Sequence, residues 1–193
     1  MSTFDTANIL DLIDLVGEEE ADKILSDFSC EKNREIELFV KKNAVDFSKR
    51  KMSITYLVFD EQMQLAAIFA LTHKAIQIGN EGISKTARKK IQRYSQLDES
   101  TGAYFVSAFL IAQFGKNSNY KGENITGNFL MSITEDVLED AQRIVGGGIV
   151  YLECEENEKL LNFYQNEDNG YRIFDDRYSL IDNTKYIQLF KLI

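Results

Sequence analysis

The residues best suited to moving protons or holding anions lie in the second half of the chain. Tyr164 closes the run Asn157-Glu158-Lys159-Leu160-Leu161-Asn162-Phe163-Tyr164, and Gly170-Tyr171 follows shortly after. A phenol can donate a proton to a departing group, or Phe163 and Tyr164 can simply pack a helix. Glu153 and Glu155 end the apolar run Ile149 to Cys154, and Glu153 is the candidate base. The Gly/Asn-rich stretch Gly115 to Gly127 leads into a helical pattern. Backbone N–H groups at a helix start attract anions, and small residues allow close approach. An ordinary loop capping a core helix is the other reading. Lys85, Arg88, Lys89, Lys90 and Arg93 form a basic cluster that could meet phosphate or lie in a solvated loop. His73 has no cysteine or second histidine at ligand spacing, so a structural role and no metal site are expected.

These residues need a scaffold, and hydrophobic periodicity outlines one. Ala7 to Val16 carries Ile9, Leu10, Ile13 and Val16 at helical spacing, with Gly17 at its end. Lys23 to Phe28 reads as a short strand. Ile36, Phe39, Val40 and Phe47 share one helical face, and Asn33 is the expected N-cap. Ile54 to Phe59 and Leu65 to Ile76 read as two strands turning at Asp60 to Gln62. Asn80 to Thr101 is polar and reads as a loop. The run Tyr104 to Phe114 lacks alternation, as a central strand covered on both faces does. Thr126 to Ile144 is helical through Leu130, Ile133, Val137, Leu138 and Ala141, and Gly146-Gly147-Gly148 ends it. The strand Ile149 to Cys154, a short helix Asn157 to Gln165, and strands near Tyr171 to Phe174 and Tyr186 to Leu192 complete the chain. The expected fold class is therefore α/β with a mixed, twisted sheet of six to seven strands and about four helices.

At 193 residues, 44% hydrophobic and 27% charged, the chain suits a single soluble domain spanning 1–193. No apolar run approaches the ~20 residues that span a bilayer, and the first ten residues lack a basic n-region and an apolar core. A cytoplasmic location is expected. Cys30 and Cys154 have apolar neighbours and are expected as buried free thiols. A net charge of −9 opposes general nucleic-acid binding, although it leaves room for one local basic patch.

Taken together, the strand before the Gly/Asn-rich loop, the loop itself and the Asn157-to-Tyr164 helix resemble the GNAT superfamily of N-acetyltransferases, over roughly residues 25 to 193. The loop aligns as Gly122-Glu123-Asn124-Ile125-Thr126-Gly127 followed by Asn128. Gly127 matches the final family glycine, while Gly122 stands where the family has Gln or Arg and Ile125 stands where it has Gly. The resemblance implies that acetyl-CoA is the co-substrate. Its pyrophosphate would lie at main-chain N–H groups of Gly122, Asn124, Ile125, Thr126, Gly127 and Asn128. Its pantetheine arm would pair with Leu110, Ile111 and Ala112 on a central strand splayed from its parallel neighbour. Asn157 would contact the cofactor, and Tyr164 would protonate the departing thiolate. The implied activity is transfer of acetyl from acetyl-CoA to a primary amine. The segment Phe28-Ser29-Cys30-Glu31, with a helix ending near Ala44, is similar to the opening of GNAT toxins from toxin–antitoxin modules. This implies aminoacyl-tRNA as one possible acceptor, against the acidic net charge. A catalytically weak GNAT-fold binding or regulatory protein is the alternative, and the oligomeric state is left open between a monomer and a homodimer.

Overall fold

A computed structural model of the chain describes residues 4–81, 83–122 and 125–193. The chain forms two compact units, Met1–Thr72 with Ile111–Thr134, and His73–Leu110 with Glu135–Ile193.

The first unit begins with β1 (Asp5–Asn8), α1 (Ile9–Val16), α2 (Glu18–Ser26), α3 (Arg34–Lys42), α4 (Ala44–Lys49) and β2 (Ile54–Phe59). It continues into β3 (Leu65–Gly79), a strand shared by both units. β1 and β2 pair antiparallel from Asp5↔Phe59 to Asn8↔Tyr56. β2 and β3 form a hairpin from Ile54↔Leu71 to Phe59↔Leu65, with an irregularity at Val58/Phe59. The Asp60 carboxylate fixes the turn by accepting from Gln62 N at 3.0 Å and Gln64 N at 2.8 Å. Leu57, Phe59, Ile68 and Ala70 from the strands join Ile9, Leu25, Phe28 and Val40 in one buried cluster. Each large side chain so buried stabilises the fold by roughly 1.5–3 kcal/mol.

The second unit contains α5 (Lys85–Ile91), β4 (Leu97–Asp98), β6 (Ile149–Glu155), α7 (Glu158–Gln165), β7 (Arg172–Ser179) and β8 (Thr184–Leu192). β5 (Ala103–Lys116) and α6 (Gly127–Val145) run through both units. The strand order is β1-β2-β3-β5-β6-β8-β7, with β4 on β5. β6 pairs antiparallel with β8 over seven positions, Ile149↔Leu192 to Glu155↔Tyr186. Its parallel ladder with β5 is only Phe109↔Val150 and Leu110↔Tyr151. So short a parallel contact between two long strands is the splay expected of the central pair. Ile78, Ile91, Tyr104, Val106, Ile149 and Phe190 lie in the core of this unit.

The α/β class and mixed sheet agree with the sequence reading, and four details differ. Lys23 to Phe28 is not a strand. α2 occupies this region, with Ala21 and Leu25 buried one helical turn apart and Glu18, Glu19 and Glu20 in its first turn, where the helix dipole favours them. The opening strand is instead β1, because Asn8 caps α1 by accepting from Leu10 N at 2.9 Å. The polar stretch 80–101 is not a plain loop. Ser84 caps α5 through Ala87 N, and Ala87 and Ile91 bury one side of a helix whose other side is basic. The helical region after Asn33 breaks at Asn43 into α3 and α4. Among the described residues there are eight strands and seven helices rather than six or seven and about four.

Candidate functional site

In the first unit, β5 ends at Lys116 and the chain passes into the loop before α6. Asn117 holds this loop. Its side-chain N–H donates to Leu65 O at 2.8 Å, and its Oδ1 accepts from Ser29 N at 3.0 Å and Asn119 N at 3.0 Å. Ser118 N donates to Ser29 O, Glu31 N to Ser118 Oγ, and Asn119 Nδ2 to Asp27 O. The loop is thus tied to residues 27–31, the segment similar to the toxin opening. Glu37 secures the same segment, accepting from Cys30 N at 2.9 Å and Ser29 Oγ at 3.0 Å. The Cys30 amide, Lys41 and Ser29 lower its carboxyl to about 2.

Of the loop residues singled out from sequence, Asn124 lies outside the described residues. Ile125 is buried, 3% exposed, so its side chain packs into the protein instead of filling the loop. Lys116 Nζ donates to Ile125 O at 3.0 Å, placing a cation beside the loop. Thr126 caps α6, its Oγ1 accepting from Phe129 N at 3.1 Å and its carbonyl from Leu130 N. Gly127 and Asn128 form the first turn of this 19-residue helix, the end where the helix dipole favours negative charge. A Cβ at Gly122 would collide with the Tyr120 phenol, so a larger residue there displaces that ring. Ile111 is buried and Ala112 exposed on β5. A capped helix start with a neighbouring lysine is chemically suited to a pyrophosphate.

In the second unit, Leu110 ends the short ladder opposite Tyr151. Asn157 caps α7, its Oδ1 accepting from Lys159 N at 2.9 Å. That cap sets the start of the helix, and Tyr164 closes its second turn. Tyr164 is 8% exposed, with ring centroids 4.9 Å from Phe163 and 5.9 Å from Tyr171. Burial, with Cys154 alongside, raises its phenol well above the ordinary range, so it is protonated at neutral pH. Cys154 itself is pushed up to about 11 by burial and Glu155. Both cysteines are free and buried.

Glu153 has a different setting from the one expected of a base. Arg177 donates to its Oε2 from Nε at 2.8 Å and from Nη2 at 2.6 Å. Tyr151 and Gln188 donate to its Oε1, and Lys74 stands 3.9 Å away. Burial pushes the carboxyl up, but the hydrogen bonds and the charge of Lys74 outweigh it and bring it to about 2. A carboxylate so stabilised has too little proton affinity to deprotonate an ammonium efficiently. This network weighs against the expectation that Glu153 is the base. Its partners Tyr151, Arg177 and Gln188 were not singled out from sequence, because they converge from three strands. His73 is exposed and lies 4.8 Å from the Phe109 ring. No group of three or more metal-ligating side chains occurs among the described residues. Nor is any helix among them long and apolar enough to cross a membrane.

Neither a protein-family model nor a curated protein matches the chain. Solved structures do. AtaT complexed with acetyl-methionyl-tRNAfMet superposes with a TM-score of 0.67 at 14% identity, over 98% of this chain and 95% of that one. A tyrosine-to-phenylalanine mutant of KacT superposes with a TM-score of 0.64 at 17% identity, over 95% and 93%. The NatC complex bound to Gag peptide and CoA gives a TM-score of 0.52 at 14% identity, over 100% and 98%. The chain has the GNAT fold. On this fold β5 and β6 are the splayed central strands, α6 follows the Gly/Asn-rich loop, and α7 carries Tyr164.

Proposed function

We propose that the chain is an acetyl-CoA-dependent N-acetyltransferase acting on a primary amine. The observation that carries this reading is Tyr164, a buried, protonated phenol ending a helix capped by Asn157. Support also comes from the GNAT fold and from a neighbour, AtaTR, whose structure is bound with acetyl-CoA. Residues 1–193 act as one functional domain in this reading, since β3, β5 and α6 each run through both units. Free, buried thiols fit a reducing cytoplasm.

Acetyl-CoA supplies an activated acyl group on a thiol leaving group. The first turn of α6 at Gly127 and Asn128, the backbone of Gly122, Ile125 and Thr126 and the Lys116 ammonium receive its pyrophosphate. Main-chain groups of Leu110, Ile111 and Ala112 pair with its pantetheine arm. Asn157 still has its side-chain amide N–H groups to offer. Tyr164 donates its hydroxyl hydrogen to the departing sulfur. Because burial holds the phenol neutral, the proton moves only as charge develops on that sulfur. The amine loses its proton to water rather than to Glu153. Glu153 fixes Arg177 and Tyr151 in place.

A neighbour, AtaT, is complexed with acetyl-methionyl-tRNAfMet, which supports aminoacyl-tRNA as one acceptor class to test here. The net charge of −9 weighs against it here. A second reading, a GNAT-fold binder with weak turnover, draws on Tyr120 filling the space beside Gly122. Tyr164→Phe tests the catalytic reading. Thiol release from acetyl-CoA with a panel of amines should fall by roughly 10²–10⁴-fold, with acetyl-CoA affinity within a few-fold of wild type. Unchanged turnover would remove Tyr164 from the chemistry.

A further inference from the structure

The chain is acidic, yet five of its 22 lysines and arginines fall between Lys85 and Arg93 with no carboxylate among them. They lie on and just after α5, whose Ala87 and Ile91 anchor it to the second unit and leave Lys85, Lys89 and Lys90 exposed. Beside α5 is a pocket of about 500 Å³ lined by residues of this unit alone, including Lys90, Arg172, Lys191 and Thr86. Phe190 and Leu192 give it an apolar part. Lys191 is paired with Glu135 at 2.6 Å, so the lining holds three cations against one neighbouring carboxylate. Among the described residues, Lys90 and Arg172 have no carboxylate within 4.0 Å. In a protein with 31 acidic residues, unpaired cations converging on a concavity mark a place kept for an external anion.

We propose that this pocket binds a small phosphorylated molecule, separately from acetyl-CoA. Arg172 offers a planar fork for two phosphate oxygens, while Lys90 and Lys191 add point charges and the Thr86 hydroxyl a further donor. Phe190 and Leu192 receive the uncharged body of the ligand. The volume lies in the range of small-molecule sites. A concave site of this size fits a phosphate monoester or diphosphate on a compact body better than it fits a nucleic-acid backbone, which needs an extended basic surface. The inference goes beyond the acetyltransferase reading and does not depend on it.

Calorimetry on the full chain, with acetyl-CoA at saturation, tests the proposal. The probes are ADP, glucose 6-phosphate and inorganic phosphate, with adenosine and glucose as uncharged counterparts and a short single-stranded RNA as a polyanion. At least one small phosphorylated probe should bind with Kd below ~1 mM, where its uncharged counterpart binds at least ~10-fold more weakly. The preferred probe identifies the body of the ligand. Arg172→Ala and Lys90→Ala should each weaken that binding by about 10-fold or more, and Arg172→Lys should recover part of the loss. Both positions are exposed, and acetyl-CoA binding by these variants should be unchanged. Coenzyme A itself carries phosphates, so a probe that binds the free chain but not the acetyl-CoA-saturated chain would belong to the coenzyme site and overturn the proposal. Binding of RNA alone, or of none of the small phosphates, would also overturn it. Failure of acetyl-CoA itself to bind sinks the acetyltransferase reading and leaves the pocket to be judged by the small probes.

Discussion

Replacing Glu153 by glutamine separates a charge that organises the structure from a base that takes a proton. The substitution keeps the shape and most of the hydrogen-bonding capacity of the side chain while removing its charge. In the native protein the carboxyl lies at about 2 against an ordinary 4.5, and its side chain is only 14% exposed. At about 1.4 kcal/mol per pH unit, this difference corresponds to about 3.5 kcal/mol of stability at neutral pH. Arg177, the main partner, is 45% exposed, and solvent screening lowers the expectation to about 2 kcal/mol. The folded carboxyl lies below its unfolded value. The contribution is therefore complete above about pH 4.5 and is lost as pH falls through 2. Urea unfolding of wild type and Glu153→Gln should differ by about 2 kcal/mol at pH 7 and by about 1 kcal/mol or less at pH 3. The acid limb of the kcat/KM profile should stay in place in the variant, because the ionisation that shapes it belongs to another group. A stability gap that is equal at both pH values would refute the charged network. Disappearance of the acid limb in Glu153→Gln would restore Glu153 as the base.

Two further substitutions probe the loop before α6. Thr126→Ala removes the cap on Phe129 N and should cost about 1 kcal/mol in urea unfolding, with Thr126→Ser recovering most of it. Acetyl-CoA affinity should fall in parallel if the first turn of α6 frays. Asn117→Ala leaves Leu65 O, Ser29 N and Asn119 N without their partner. It should cost roughly 2–3 kcal/mol and raise amide exchange in residues 27–31 and 117–122, which a stability loss spread evenly over the protein would contradict.

The parts of the fold legible in the sequence were those set by local pattern. β2, β3, β5, β6 and α6 announce themselves through β-branched runs, unbroken apolar stretches and helical periodicity, and Asn33 does cap α3 as its position suggests. α2 is masked in the sequence because Ile24-Leu25 looks strand-like in isolation, whereas Ala21 and Leu25 bury on a helical face. α5 is hidden in the sequence because a seven-residue helix burying only Ala87 and Ile91 leaves little periodicity among its four cations. The site divides the same way. The Asn157-to-Tyr164 spacing is local and readable. The hold of Asn117 on Leu65 and Ser29 spans 52 and 88 residues, and Glu153 meets Arg177 24 residues away and Gln188 35 residues away. No motif spacing encodes such contacts. Ile125 shows the converse limit: the alignment marks it as a departure from glycine, while its burial keeps the side chain out of the loop.

The central claim is that this GNAT fold uses acetyl-CoA, and binding of acetyl-CoA to the purified chain tests it most directly. Calorimetry should show one saturable site per chain, with affinity retained in Tyr164→Phe and weakened in Thr126→Ala. Ligand at 100 times Kd should stabilise the protein by about 2.7 kcal/mol, visible as an upward shift of Tm. No heat and no thermal shift at millimolar acetyl-CoA would contradict the account and leave the chain a GNAT-fold protein without the family's co-substrate.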